Sequence, residues 1–167
     1  MLAKSAKAVT NQASVTALMS LAKKLKTAEH LFVVGRGISY PAALECALKI
    51  KEISYIHAEG VAAGELKHGP LALVTEGTPC IVIAPTDATY QEVMGSAREM
   101  KARGGYIIGF SETRDSVFDE WIKIEDAGEA TIIPNVIAAQ LLSYYLTIER
   151  GFDPDMPRNL AKSVTVK

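Results

Sequence analysis

The chain has 167 residues, 49% of them hydrophobic and 22% charged, and its formal net charge is -1. That length suits one domain with a real core, and the small net charge argues against a nucleic-acid binder, which normally carries a basic excess. No apolar run approaches the roughly 20 residues that span a bilayer, no secretory signal opens the chain, and only two cysteines occur, so we expect a cytoplasmic chain without a membrane partner.

The first third of the chain predicts a helix, a strand, a second helix and a short strand. Apolar residues mostly three to five positions apart predict a helix over residues 5–27. The run "LFVVGRG" is typical of a buried strand that ends in a tight turn. A helix over "SYPAALECALKIKEI" follows, with Ser39 as its expected N-cap and Pro41 in its first turn. We interpret "SYIHA" as a short second strand.

Further along, strands and helices alternate more plainly. The segment "AAGELKHGP" predicts one or two helical turns that stop at Gly69-Pro70. A strand is expected at "PCIVIAP", a helix at "TYQEVMGSAREMKARGG", a strand at "YIIGFSE", an edge strand at "WIKIED" and a long helix after Pro134. This alternation predicts an α/β fold: a three-layer α/β/α sandwich around a five-stranded parallel sheet, doubly wound and flavodoxin-like.

The loop "GRGISYP" stands at the carboxyl end of the first predicted strand, where open α/β sheets bind ligands. Gly35 and Gly37 would let the backbone approach a substrate, so both are substrate-binding candidates. Tyr40 occupies the position of the third glycine in a dinucleotide fingerprint, so no nicotinamide cofactor is expected. Taken alone, a simple strand-to-helix turn is the commoner explanation of the two glycines.

Three charged residues share one face of the second predicted helix. Glu45, Lys49 and Glu52 stand at positions i, i+4 and i+7. A salt-bridged solvent stripe is the common explanation of such spacing. The functional alternative is a carboxylate held beside an ammonium group, where it could move a proton between neighbouring carbons of a sugar.

The remaining candidates are the three histidines and a lysine near the end of the chain. His68 precedes the helix stop, where it is either a helix-dipole partner or a proton shuttle. His30 and His57 lie in or beside apolar strands, and we interpret both as structural. Lys162 has apolar neighbours; drawn into a pocket with them it could attack a carbonyl as a free amine, although a solvated basic end is the commoner case.

Two kinds of site are not expected from the sequence. No set of His, Cys and carboxylate residues has metal-ligand spacing, so we predict no metal and no other cofactor. The segment "APTDATYQE" lacks the run of Ser, Thr and Gly that would wrap a phosphate.

Three long segments, "KEISYIHAE", "GELKHGP" and "PRNLAKSVTV", closely resemble the second sugar isomerase (SIS) domain of the glucosamine-6-phosphate synthase family. The resemblance runs from about residue 30 to the C-terminus. It implies a SIS domain over residues 31–152, a connector over residues 1–30 and an extended tail over residues 153–167.

The resemblance also implies roles for individual residues. Glu52 corresponds to the base that moves a proton between C1 and C2 of the sugar, and Lys49 assists it. His68 is linked to ring opening at the site of a neighbouring subunit, which implies a homodimer. Lys162 is similar to the lysine that forms a Schiff base with open-chain fructose 6-phosphate, and Ala161 is expected to contact the substrate.

The same family carries a glutaminase domain and a first SIS domain that grips the sugar phosphate, and neither matches this chain. We therefore expect the first SIS domain as a partner and little or no activity from this chain alone. Two alternatives stay open: a non-catalytic sugar-phosphate-binding or dimerisation module, and half of an amino-sugar-phosphate deaminase-isomerase.

Overall fold

A computed structural model describes residues 1–159 of the chain and contains one sheet of five parallel strands. The spatial order is β2-β1-β3-β4-β5, which confirms the predicted five-stranded parallel sheet. The strands are β1 His30–Gly35, β2 His57–Ala62, β3 Pro79–Ala84, β4 Tyr106–Ser111 and β5 Glu120–Lys123.

Helices cover both faces of the sheet, as expected when crossover connections join parallel strands. Three short 3₁₀ segments, Ala63–His68, Pro70–Leu73 and Gly128–Thr131, supplement the α-helices. The α-helices are α1 Leu2–Val9, α2 Gln12–Leu25, α3 Ser39–Ser54, α4 Tyr90–Lys101 and α5 Ile132–Glu149.

Two hydrophobic clusters make up the core, one on each face of the sheet. Successive residues of a strand point to opposite faces, so Val33 joins one cluster and Val34 the other. Helices α1, α2, α3 and α5 pack on the Val33 face, which we call the α3/α5 layer; α4 and the segments Ala63–His68 and Pro70–Leu73 pack on the Val34 face, the α4 layer. The predicted α/β/α sandwich is confirmed.

The predicted helix over residues 5–27 is wrong in one respect, because two helices occupy this region. Helix α1 ends at Val9, and the Asn11 side chain accepts a hydrogen bond of 2.9 Å from the Ser14 amide, which caps α2. An asparagine N-cap satisfies one of the free amides of a new helix. The apolar spacing continues across the break and therefore conceals it.

Helix α3 is longer at its C-terminal end than the sequence indicated. It runs through Ser54, whose hydroxyl donates to the Ile50 carbonyl at 2.6 Å, and Tyr55 caps it at a φ of 60°. Strand β2 consequently starts at His57, three residues after the predicted start. The expected N-cap was also wrong: Ser39 is the first helical residue, and Ile38 precedes it without a side-chain cap.

Helix α5 begins at Ile132, three residues before the predicted start at Asn135, with Pro134 in its first turn. The stretch Gly128–Glu149 is long and apolar enough to cross a membrane, which the sequence analysis did not anticipate, but half of its apolar window is buried inside the protein. The helix contacts α1, α2 and α3, and this packing explains its apolar composition.

Candidate functional site

Among the site residues within positions 1–159, Lys49 and Glu52 of helix α3 are in direct contact. The Lys49 Nζ atom lies 2.9 Å from Glu52 Oε2 and 3.5 Å from Glu45 Oε1. Side-chain exposure is 26% for Lys49 and 37% for Glu52, so both are partly shielded while the carboxylate stays reachable from solvent. The structure thus brings together two of the predicted catalytic residues.

The protonation state of Lys49 follows from this contact. The hydrogen bond to Glu52 raises the pKa of Lys49 above its ordinary value of 10.5; burial acts the opposite way, and the charges of Glu52 and Glu45 add to the increase. Lys49 therefore carries a full charge near neutral pH. It can orient and pair with a carboxylate, but it cannot act as a free amine there.

His68 lies apart from this pair. It ends the 3₁₀ segment Ala63–His68, its Nδ1 is 2.9 Å from Glu65 Oε2, and 71% of its side chain is exposed. That segment belongs to the α4 layer, whereas Glu52 lies on α3 across the sheet. Within one chain the structure therefore does not bring His68 together with Glu52.

Lys162 and Ala161, the two predicted site residues of the tail, lie outside the described residues, so both stay predictions. The described part of the tail contacts Tyr55, the residue that caps α3. The Arg158 guanidinium carbon lies 3.9 Å from the centre of the Tyr55 ring, and the Arg158 amide donates to the Tyr55 hydroxyl at 2.8 Å. The sequence analysis missed this contact, because no local spacing relates residues 103 positions apart.

The two glycines of the β1–α3 turn have structural causes. A Cβ on Gly35 would lie 2.2 Å from the Ser39 carbonyl oxygen, because the first turn of α3 packs directly on it. Gly37 has a φ of 55°, the left-handed region that glycine enters most easily. Their predicted contact with substrate stays a prediction.

The carboxyl edge of the sheet, where β1 and β3 end, is acidic. A cavity of about 490 Å³ opens there, and its lining includes Asp87, Asp126 and Glu129. Arg36, the residue after β1, is already paired with Glu92. Carboxylates repel a phosphate, so this edge is poorly suited to hold a phosphorylated group, in agreement with the missing phosphate loop in the sequence.

The two other histidines are exposed at the starts of strands, and both cysteines are buried. His30 and His57 start adjacent strands, pair in register and are exposed rather than buried in the core. Burial raises the pKa of the Cys46 and Cys80 thiols to about 12, which leaves both unreactive near neutrality. Between residues 1 and 159, no group of three His, Cys, Asp or Glu side chains could hold a metal ion; the predicted lack of cofactors stays a prediction.

The family model of the SIS domain matches residues 24–150 of the chain. A relative from Thermococcus kodakarensis, named glutamine–fructose-6-phosphate aminotransferase (isomerizing), is 51% identical over 90% of this chain but only 26% of its own length. The chain spans about a quarter of the curated relatives that it matches first.

Solved structures agree with this assignment. The C-terminal domain of glucosamine-fructose-6-phosphate aminotransferase from Francisella tularensis superposes with a TM-score of 0.80 at 34% identity, over 92% of this chain and 43% of that one. Glucosamine-6-phosphate deaminase from Thermotoga maritima gives 0.71 at 26% identity, over 90% and 45%. On its sequence, its sheet order and these comparisons, the chain belongs to the SIS domain family.

Proposed function

We propose that this chain is the second SIS half of the isomerase part of a glutamine–fructose-6-phosphate aminotransferase, acting in the cytoplasm. The whole protein would convert fructose 6-phosphate and glutamine-derived ammonia to glucosamine 6-phosphate. The observation that carries the proposal is the Lys49–Glu52 pair of 2.9 Å, in a chain 51% identical to a relative of that name. Residues 1–30 would serve as a connector, 31–152 as the SIS domain and 153–167 as the tail.

In the proposed reaction, His68 assists opening of the sugar ring. The Lys162 amine then adds to the C2 carbonyl, and loss of water leaves an imine at C2. Ammonia displaces the lysine from that carbon. Glu52 removes a proton from C1 and returns one to C2, while the C1 hydroxyl loses its proton and the imine nitrogen gains one. The C1 hydroxyl thereby becomes an aldehyde and the C2 imine becomes an amine.

Lys49 supports the proton transfer without taking part in covalent chemistry. Its charge-assisted hydrogen bond fixes the Glu52 carboxylate in one orientation, which a base needs in order to reach a carbon-bound proton. Because Lys49 is an ammonium ion, it also offers positive charge where negative charge develops on the sugar.

A first SIS domain would supply the grip on the phosphate, and a second copy of this chain would supply His68. The acidic carboxyl edge is unsuited to a phosphate, so the grip on the phosphate is assigned to a first SIS domain. His68 lies across the sheet from Glu52, which supports its use by a neighbouring subunit and hence a homodimer.

The surface of helix α5 also favours an SIS partner. The helix exposes Ile133, Tyr144 and Ile148 in an apolar row that the half-buried Ile137 and Leu141 continue, and we call these five residues the α5 stripe. Ile133 and Tyr144 are each 44% exposed and Ile148 is 48% exposed. No Asp, Glu, Lys or Arg occurs between Ile132 and Ile148. Exposed apolar rows of this kind mark interaction surfaces.

A domain exchange tests the proposal directly. The matching quarter of the Thermococcus kodakarensis enzyme is replaced by this chain, and glucosamine 6-phosphate formation is measured. We expect activity in the hybrid and a loss of about 100-fold or more for Glu52→Gln, with glutamine hydrolysis retained. Glu45→Gln is the matched control on the same helix, and we expect it to cost less than about tenfold because Lys49 keeps its closer partner. Unchanged sugar conversion in Glu52→Gln would remove Glu52 from the mechanism.

The structural similarity to the Thermotoga maritima deaminase keeps a second candidate function open. A deaminase-isomerase half would release ammonia from glucosamine 6-phosphate without any glutamine. Supplying this chain and a first SIS domain with glucosamine 6-phosphate alone, and measuring ammonia, separates the two functions. A non-catalytic binding module would retain sugar-phosphate binding when Glu52 and Lys162 are both substituted and would show no turnover.

A further inference from the structure

The short segment Ala63–His68 carries a glutamate and a histidine that contact each other. Glu65 Oε2 lies 2.9 Å from His68 Nδ1. The segment is a 3₁₀ helix, which has three residues per turn, so that side chains at positions i and i+3 stand directly above one another. The contact therefore follows from the local backbone, and the next residue, Gly69, ends the segment at a φ of 146°.

The backbone that carries this pair is held on helix α4. Leu66, in the middle of the segment, is fully buried in the core of the α4 layer. The Ser96 hydroxyl of α4 donates to the Ala63 carbonyl at 3.3 Å. The Lys67 Nζ atom lies 2.8 Å from Glu99 Oε1 of the same helix. These contacts give the glutamate–histidine pair a fixed base.

The two paired side chains themselves extend into solvent. Side-chain exposure is 71% for His68 and 68% for Glu65. An exposed pair of this kind contributes little to the stability of a fold. What the contact determines is the use of the imidazole ring: the carboxylate engages Nδ1, which leaves Nε2 as the nitrogen that can serve a molecule bound from outside the chain.

The chemistry of the carboxylate fixes the position of the hydrogen on the ring. An ionised carboxylate only accepts hydrogen bonds, so Nδ1 carries the hydrogen and Nε2 carries the lone pair when the imidazole is neutral. We propose that Glu65 is a positioning residue that holds His68 in the Nδ1–H tautomer, so that the proton moved during ring opening passes through Nε2. This inference rests on the ring-opening role proposed above for His68.

One ring nitrogen is sufficient for the whole step. Nε2 accepts the proton of the C2 hydroxyl of the cyclic ketose, and the bond between C2 and the ring oxygen breaks as C2 becomes a carbonyl. The ring oxygen takes that proton from Nε2 and becomes a hydroxyl, so the imidazole ends as it began. Without Glu65 the ring can also rest with its hydrogen on Nε2, and in that state Nε2 cannot accept the hydroxyl proton.

Nitrogen NMR of the isotope-labelled chain observes the tautomer directly. Spectra are recorded at a pH above which the His68 signals no longer change, so that the imidazole is neutral. We expect mainly the Nδ1–H tautomer in the unsubstituted chain. In Glu65→Gln the ratio of Nδ1–H to Nε2–H should fall about fivefold, because a glutamine side chain can donate as well as accept. Glu65→Asp keeps the charge and should fall between the two, while the signals of His30 and His57 should not change.

Turnover in the hybrid enzyme described above tests whether the tautomer matters for the reaction. We expect Glu65→Gln to lower kcat/KM for fructose 6-phosphate about tenfold. The analogue 5-deoxyfructose 6-phosphate lacks the oxygen that closes the ring, so it needs no ring opening, and with it Glu65→Gln should match the unsubstituted hybrid. Glu76→Gln, at an exposed glutamate in the loop before β3, is the control and should leave turnover of both sugars unchanged.

The two measurements separate the possible outcomes. A mainly Nε2–H imidazole in the unsubstituted chain, or a ratio that Glu65→Gln does not change, refutes the role of Glu65. A changed ratio with unaltered turnover of fructose 6-phosphate refutes the positioning role, and equal losses with both sugars refute it in favour of a structural one. A hybrid that converts neither sugar without any substitution contradicts the proposed function; the ring-opening role then falls with it, and the NMR ratio still decides whether Glu65 fixes the tautomer.

Discussion

The two helical layers of the molecule present different surfaces to the outside. Both layers carry ion pairs, such as Lys67–Glu99 in the α4 layer and Lys24–Glu120 in the α3/α5 layer, so the layers differ in their exposed apolar side chains. The α4 layer exposes Leu73. The α3/α5 layer exposes the apolar α5 stripe, together with Leu44 and Leu48 of α3. Charged side chains are well solvated on a surface that faces water, whereas exposed apolar rows indicate contact with another protein.

This difference bears on where chemistry is expected. The Lys49–Glu52 pair lies on α3, in the layer with the exposed apolar row, and Arg158 stacks on Tyr55 at the end of the same helix. If the function proposed above holds, this layer would bring the proposed base to an interface. Substitutions in both layers test this difference.

Two glycine substitutions give the largest expected difference in the free energy of unfolding. Gly35→Ala would place a methyl group 2.2 Å from the Ser39 carbonyl oxygen, and we expect it to lower the free energy of unfolding by about 3 kcal/mol. Gly95 of α4 has open space around its Cα, so Gly95→Ala should instead raise that free energy by about 0.5–1 kcal/mol. Urea unfolding measures both. Equal effects of the two substitutions would show that α3 tolerates displacement from the sheet.

The α5 stripe gives the next contrast. We expect Ile133→Lys combined with Ile148→Lys to weaken association with a second SIS unit about 100-fold, equivalent to about 2.7 kcal/mol. Light scattering over a concentration series measures this for the chain alone. Arg98→Ala combined with Lys101→Ala is the control in the α4 layer and should leave association unchanged. A strictly monomeric chain that also fails to bind a first SIS domain would contradict the assignment of this surface.

Substitutions of lysines in ion pairs give the smallest expected difference in the free energy of unfolding. Lys49→Met should lower the free energy of unfolding by about 1 kcal/mol, because Lys49 contacts two carboxylates and is partly shielded. Lys67→Met should lower it by less than about 0.5 kcal/mol, because Lys67 is more exposed. The pKa of Lys49 is raised above 10.5 in the folded chain. Its contribution should therefore be complete below pH 10.5 and disappear as the pH rises through the raised value. Unfolding measured across that range checks the sign; a Lys49 contribution that grows above pH 10.5 contradicts it.

The sequence predicted the fold more fully than the site. The buried strands were recognisable because each is a compact apolar run next to a turn, and their parallel order follows from the helices between them. Helix limits were less predictable. The break at Asn11 and the extension of α3 to Ser54 depend on caps formed in three dimensions, and the apolar spacing continues through both.

The site was predictable only where it is local. Lys49 and Glu52 are one helical turn apart, so their contact follows from helix geometry. The placement of His68 in the opposite layer depends on the crossover after β2, and the stacking of Arg158 on Tyr55 joins residues 103 positions apart. Neither leaves a periodic pattern in the sequence.

Helix α3 separates the acidic cavity from the Lys49–Glu52 pair. The cavity opens where β1 and β3 end, and α3 runs back from that edge of the sheet to the start of β2. Glu52 follows the first residue of α3, Ser39, by thirteen positions, so about 20 Å of helix lies between the cavity and the pair. Because salt screens exposed charges beyond about 10 Å, the two ends of the helix are electrostatically independent, and either can be recharged without disturbing the other.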